Sequence, residues 1–182
     1  MKKTIIITFI TLLSTALSIP VVFSDDVRDE HRQRSLGVAP VTSKPYINEC
    51  SSCHMAYPPG LLPASSWKKI MNGLDSHFGD NAEVDSDDFK IISNFLDSNS
   101  ADKSSYRRSR KIMRSINEKN TPLRISELPY IKRKHDEIPD NMIKYNPQVN
   151  NLSNCSACHS QAEKGLFDED NIRIPGFGHW DD

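Results

Sequence analysis

The sequence is short of most things that would place it in a common class. Apolar residues make up 37% of its 182 positions, too few for a polytopic membrane protein yet too many for a disordered chain. Net charge is −1, which excludes a globally basic nucleic-acid binder acting through mass electrostatics. Glycine is scarce, with 7 residues against 11 prolines. Cysteine occurs four times, far below the density of a small disulfide scaffold. Length alone allows one domain or two small ones. The modest apolar content suggests that something besides side chains helps to hold the chain together.

One long apolar run exists, at the N-terminus. Lys2 and Lys3 precede an apolar stretch from about Ile5 to Ile19, Pro20 breaks it, and Val22-Phe23-Ser24 supplies the small residues a signal peptidase reads. The stretch is too short and too rich in Thr and Ser for a spanning helix of ~20 apolar residues. Residues 1–24 therefore read as a cleaved secretion signal. Removing them shifts the net charge to −3 and leaves a soluble protein exported to the periplasm.

The four cysteines sit in Cys50-Ser51-Ser52-Cys53-His54 and Cys155-Ser156-Ala157-Cys158-His159. Both are C-x-x-C-H, the spacing of covalent c-type haem attachment. Two thiols three positions apart reach the two vinyl groups of one porphyrin, and the adjacent histidine meets the iron from the proximal face. A structural zinc site would have to bring both pairs together across about a hundred residues and would leave two histidines unexplained. Local disulfides and a thioredoxin-like site are weaker, because the spacing or the strand–helix context is wrong. The motifs predict two covalently bound haem c groups.

Whether such a protein carries electrons or catalyses depends on the distal side of each iron. His54 and His159 are proximal, which leaves His31, His77, His135 and His179. Ser65 or Ser66 can cap a helix in which Trp67, Ile70, Met71, Leu74 and His77 share a stripe ending near Gly79. A histidine on such a stripe is usually a core residue, but one following a haem motif is better read as a distal ligand. His135 lies in a polar stretch, 131–137, whose plain reading is a solvated loop. His179 lies near the C-terminus, where fraying is common, and His31 in a charged N-terminal segment. Met71, Met113 and Met142 are further options, although each also suits apolar packing.

Several segments resemble the bacterial dihaem cytochrome c family, often abbreviated DHC. They are CSSCHMAYPPGLLPASSW at 50–67, LDSHFGDNA at 74–82, PLRISELP at 122–129 with His135 six residues on, CSACH at 155–159 and GLFD at 165–168. The likeness runs from about Cys50 to Pro175 and includes positions outside the haem motifs. It implies a periplasmic electron carrier with two covalent, bis-histidine haems, His54 and His77 serving the first and His135 and His159 the second. It also implies partners such as an oxygen-binding monohaem cytochrome or a membrane cytochrome b. The basic linker and the tail with His179 depart from the family pattern.

The expected fold is mainly α, a small haem-stabilised cytochrome c-type fold with much irregular chain and two haem-bearing halves, 25–101 and 102–182. Residues 25–45 read as an extended arm and 97–101 as a linker. A second helix is expected from Asp85 or Ser86, with Phe89, Ile92, Phe95 and Leu96 inward. A third is expected from about Ser104 to Lys119, with Tyr106, Met113 and Ile116 on one side and Arg107, Arg108, Arg110, Lys111 and Arg114 on the other. Across 103–134 eleven Lys or Arg stand against Glu118 and Glu127. The remainder of the exported chain is strongly acidic, so the molecule is dipolar. Such a basic run is most often a solvated face. It also suits neutralisation of buried propionates, with Arg124 a candidate, or docking of an acidic redox partner. The reading is an electron relay through two low-spin haems, and the alternative is a small haem enzyme, a peroxidase or small-ligand reductase, with one haem open. An enzyme would need a distal acid–base group, and no clear candidate stands out.

Overall fold

The computed structural model describes His31, residues 37–117 and residues 122–180. The predicted signal segment, the end of the predicted third helix at Lys119 and most of the predicted arm lie outside them. Among the described residues there are six short α-helices joined by 3₁₀ turns: α1 (Lys44–Cys50), α2 (Ala64–Met71), α3 (Ser86–Ser98), α4 (Arg107–Ser115), α5 (Pro129–Lys134) and α6 (Cys155–Cys158). Strand among the described residues is confined to one small antiparallel pair, β1 (Arg173–Ile174) with β2 (Gly178–His179), in which Arg173 faces His179. No described helix is long and apolar enough to cross a membrane. The mainly helical class read from the sequence is what the chain adopts.

Local chemistry sets these boundaries. Ser43 accepts from the Tyr46 N–H and Pro45 sits in the first turn, so α1 starts before the predicted arm ends. Asp85 caps α3 by accepting from the N–H groups of Asp87 and Asp88, and its Ile92 and Leu96 are buried. Helix α2 departs from expectation: its N-cap is Pro63 and it stops at Met71. Ser66 is an interior residue whose hydroxyl donates to the Pro122 carbonyl at 2.9 Å. His77 therefore lies beyond the helix, after a 3₁₀ turn, and shares no helical stripe with Trp67 and Met71. Helix α4 buries Ser109 and Ile112, while Tyr106 and Met113 are half-buried and Ile116, just past its end, packs partly buried against the apolar cluster. Residues 97–101 are no linker: α3 runs to Ser98, and Ser100 and Ala101 are buried.

Helices α2 and α1 pack on α3, and α4 packs on α5. One apolar cluster joins Val38, Tyr46, Leu61, Leu62, Trp67, Met71, Ile92 and Leu96 to Ile112, Leu128, Tyr130 and Phe167. Val38, part of the predicted arm, is fully buried and its N–H donates to the Gly165 carbonyl at 2.8 Å. Gly165 has φ +75°, and a Cβ there would collide with the Val38 carbonyl oxygen, so backbone conformation and close approach both require glycine.

Candidate haem-binding sites

The first cysteine motif begins on the last residue of α1, and Cys53 and His54 follow in an exposed turn. The His54 Nδ1 lies 2.8 Å from the Met55 carbonyl. A carbonyl can only accept, so Nδ1 carries the proton and Nε2 is left free to bind a metal. The Tyr57 ring packs against His54 with centroids 4.8 Å apart.

His77 is brought to the same place by a tight turn. Its N–H donates to the Asp80 carbonyl at 2.7 Å and the Asp80 N–H returns to His77 at 3.2 Å. The two residues between, Phe78 (φ +55°) and Gly79 (φ +114°), both have positive φ. Glycine accepts this freely. Phenylalanine does so at a cost of about 1–3 kcal/mol, a strain that tends to collect at functional sites. Phe78 is half-exposed, and the Arg124 guanidinium lies over its ring at 4.1 Å from the centroid. The His54 and His77 rings end 6.2 Å apart, their planes inclined by 33°.

The second motif forms α6 itself, with His159 as its C-cap. Its partner His135 caps α5, so the predicted solvated loop at 131–137 is largely helix. Proline at the first position starts that helix, and Lys132, Arg133 and Lys134 fill its last turn, where the dipole favours cations. The His135 Nδ1 lies 2.8 Å from the Ile131 carbonyl one turn back, which again leaves Nε2 free. The His135 and His159 rings stand 6.1 Å apart with planes at 77°.

Both separations fit one metal atom between two imidazoles. Metal–nitrogen bonds of ~2.0–2.1 Å, plus a ring radius of ~1.1 Å on each side, put trans ring centroids ~6.3 Å apart. The second pair also opens on a cleft. Leu152, Ile143, Ile131, Val149 and Phe167 line it alongside Cys155 and Cys158. An apolar slot with histidines facing each other and thiols at the wall suits a porphyrin. No group of three or more His, Cys, Asp or Glu among the described residues is disposed to hold a metal ion by itself.

Electrostatics agree with neutral ligands. Burial, then His135 and Arg108, push His159 down to about 4. Burial, then His54 and Arg124, lower His77, against a smaller opposite pull from Asp80. Burial raises Cys155 to about 11 and, with Glu49, Cys50 to about 11; it also raises Cys158. Such thiols stay protonated at neutral pH with no group bound.

The other candidates stand elsewhere. His179 is exposed on β2, with Nε2 3.0 Å from the Asp170 carbonyl, and His31 is exposed. Met71 is buried in the apolar cluster, while Met113 and Met142 are half-buried. Two participants escape a motif search. Arg108, expected on a basic outer face, turns inward, lines the second cleft, donates to the Phe167 carbonyl at 2.7 Å and sits over the Phe167 ring. Tyr57 packs on His54 while its hydroxyl donates to the Ser153 carbonyl at 2.6 Å, two residues before Cys155. The inward period of α4 at Ser109 and Ile112 would have exposed the first; nothing local marks the second.

A family model described as dihaem cytochrome c matches residues 46–167. The dihaem cytochrome c of Shewanella baltica OS155 is 44% identical, with a TM-score of 0.64, over 76% of this chain and 97% of that one. The dihaem cytochrome c of Rhodobacter sphaeroides is 45% identical, also with a TM-score of 0.64, over 71% of this chain and all of its own length. No protein of curated function matches the chain. The matched stretch contains both cysteine motifs and both histidine pairs, and on that ground the chain belongs to the dihaem cytochrome c family.

Proposed function

We propose that this protein is an exported electron carrier of the periplasm, with two covalently attached haems each held between two histidines. Cys50 and Cys53 tether the first, ligated by His54 and His77. Cys155 and Cys158 tether the second, ligated by His159 and His135. The observation that carries the reading is the recurrence of one arrangement: beside each cysteine pair, two imidazoles face each other at the separation one metal atom needs. When bound, haem iron supplies a one-electron couple.

The chain's own residues then do the rest. The Met55 and Ile131 carbonyls fix the tautomers of His54 and His135 and orient their rings. Two histidines holding each haem would leave no position for peroxide, oxygen or nitrite, and no substrate bond would be made or broken. Histidine in place of methionine sets both potentials in the lower part of the ~0.8 V range that axial ligands span. A monohaem cytochrome or a membrane cytochrome b would suit as redox partner.

Low-temperature EPR of the oxidised protein tests the ligation. Two low-spin signals are expected and, because the ring planes differ, they should be distinct. If the 77° between the His135 and His159 rings were kept when haem is held there, the second signal would be the more anisotropic. His135→Ala should convert that signal to high spin, and His179→Ala should leave it unchanged. A high-spin haem in the unsubstituted protein would instead indicate an open site and a small haem enzyme.

A further inference from the structure

Helix α4 carries Arg107, Arg108, Arg110, Lys111 and Arg114 within nine residues and no acidic residue at all. This arrangement works against the helix twice. Arg107 and Arg108 sit in its first turn, where the helix dipole repels cations. Five like-charged pairs, from Arg107 with Arg110 to Lys111 with Arg114, fall at i,i+3 or i,i+4, where cations repel each other. A merely solvated face is commonly built with alternating signs, which avoids both penalties.

Neutralisation of haem propionates accounts for only part of the set. Arg108 and Lys134 do line the second cleft, and Lys134 is paired with Glu169. Arg107, Arg110 and Arg114 are exposed, and none has a carboxylate partner among the described residues. Lys111 ties the two groups together. Burial first, then Arg107, Arg108 and Lys134, lower its pKa, with Glu169 opposing, which places all of them within electrostatic reach. Lys132 and Arg133 are exposed on α5, which packs on α4 and adds two more cations to this pair of helices.

We infer that the basic face of α4 and α5, running to the mouth of the second haem cleft, is the docking surface for an acidic redox protein. The inference rests on the electron-carrier reading above and adds where on the molecule the partner sits. The occupant follows from charge complementarity: a field of one sign beside a redox site raises the encounter rate of the opposite sign. An anionic lipid surface is the poorer fit, because membrane-bound helices pair basic residues with an exposed apolar face. None of the exposed large apolar residues, Ile47, Phe78, Ile91, Tyr145 and Phe177, lies on α4 or α5. One electron crosses per encounter, the donor oxidised and the acceptor reduced by one, with no bond or proton exchanged.

The test uses the reduced holoprotein in stopped-flow against two oxidants of opposite charge, ferricyanide and tris(phenanthroline)cobalt(III). Each is reduced by one electron, to ferrocyanide and the cobalt(II) complex. Arg107→Glu with Lys111→Glu is compared with Lys69→Glu with Lys90→Glu, an equal change in net charge on α2 and α3. At low salt the α4 variant should react with ferricyanide about tenfold more slowly, within the 10–10³-fold range of electrostatic steering. The cobalt reagent should react no more slowly than before, and high salt should erase the difference. Polyglutamate, standing in for an acidic protein surface, should slow the parent's reaction with ferricyanide and not the variant's.

Equal slowing in both double variants would overturn the inference, since net charge alone would then explain it. So would an unchanged ferricyanide rate in the α4 variant while the cobalt reagent reacts normally. Sedimentation of the parent, but not of the α4 variant, with phosphatidylglycerol vesicles would assign the face to a membrane and overturn it as well. If neither reagent oxidises the reduced protein at any salt, it is the electron-carrier reading that fails.

Discussion

At the scale of single residues, Tyr57 connects the two candidate sites. Its ring lies on His54, its hydroxyl reaches the Ser153 carbonyl beside the second motif, and its own carbonyl accepts from the Tyr46 hydroxyl at 2.9 Å. Burial, with a smaller contribution from Cys155, raises its phenol to about 12, so it remains a protonated donor at neutral pH. Tyr57→Phe keeps the ring and removes only the donor. The holoprotein should lose about 1 kcal/mol, the usual net value of a hydrogen bond whose acceptor is left behind, read as a lower urea midpoint at unchanged slope. An unchanged midpoint would show that the Ser153 carbonyl finds water instead.

At the scale of elements, the start of α2 shows how a helix is completed from a distance. Pro63 has no side-chain oxygen to offer as N-cap. The Asp102 carboxylate, 38 residues on, accepts from the Ala64 N–H at 2.8 Å instead. Burial is the largest influence on that carboxyl and would raise its pKa. The hydrogen bonds from Ala64, from Ser100 and from its own backbone, together with Lys103, outweigh burial and hold it below the ordinary range. A lowered carboxyl stabilises the fold above the unfolded carboxylate value, ~3.9, and that stabilisation is lost as pH falls through the folded value. Asp102→Ala should therefore cost about 1 kcal/mol at neutral pH, as cap removals do. The gap between variant and parent should narrow below pH ~4. Urea unfolding at pH 7 and in that acid range measures both, and a gap that stays constant would argue against a charged cap.

At the scale of the whole molecule, the described helices are short and the apolar cluster between them is modest, while each candidate site lies against it. Cys50 and Cys155 both pack on that cluster, so two haems tethered there would extend the core with apolar mass the side chains do not supply. Small domains of this kind draw folding free energy from their bound group. The haem-free chain is expected to be largely unfolded, without the cooperative thermal transition of the holoprotein. A native-like circular dichroism spectrum from protein made without haem attachment would refute this.

The two candidate haem-binding motifs were legible because covalent haem attachment would need two thiols and a histidine at a fixed local spacing, and one turn of chain satisfies it. The amphipathic α3 and its Asp85 cap were legible for the same reason, since period and cap are local. Position in space was not. His77 reaches its partner through a strained Phe78–Gly79 turn rather than a helical stripe, and a positive φ at phenylalanine has no signature in sequence. His135 could not be separated from His179 by composition; the tertiary structure puts one opposite His159 and the other on an exposed strand. Arg108 reads as one more cation of a basic run until packing against Phe167 turns it inward. By itself the sequence determined the two candidate haem-binding motifs and the mainly helical class. Which histidines face each other, and which charges stay outside, was decided only when the long-range contacts formed, because those depend on residues far apart in the chain whose spacing encodes nothing of their proximity.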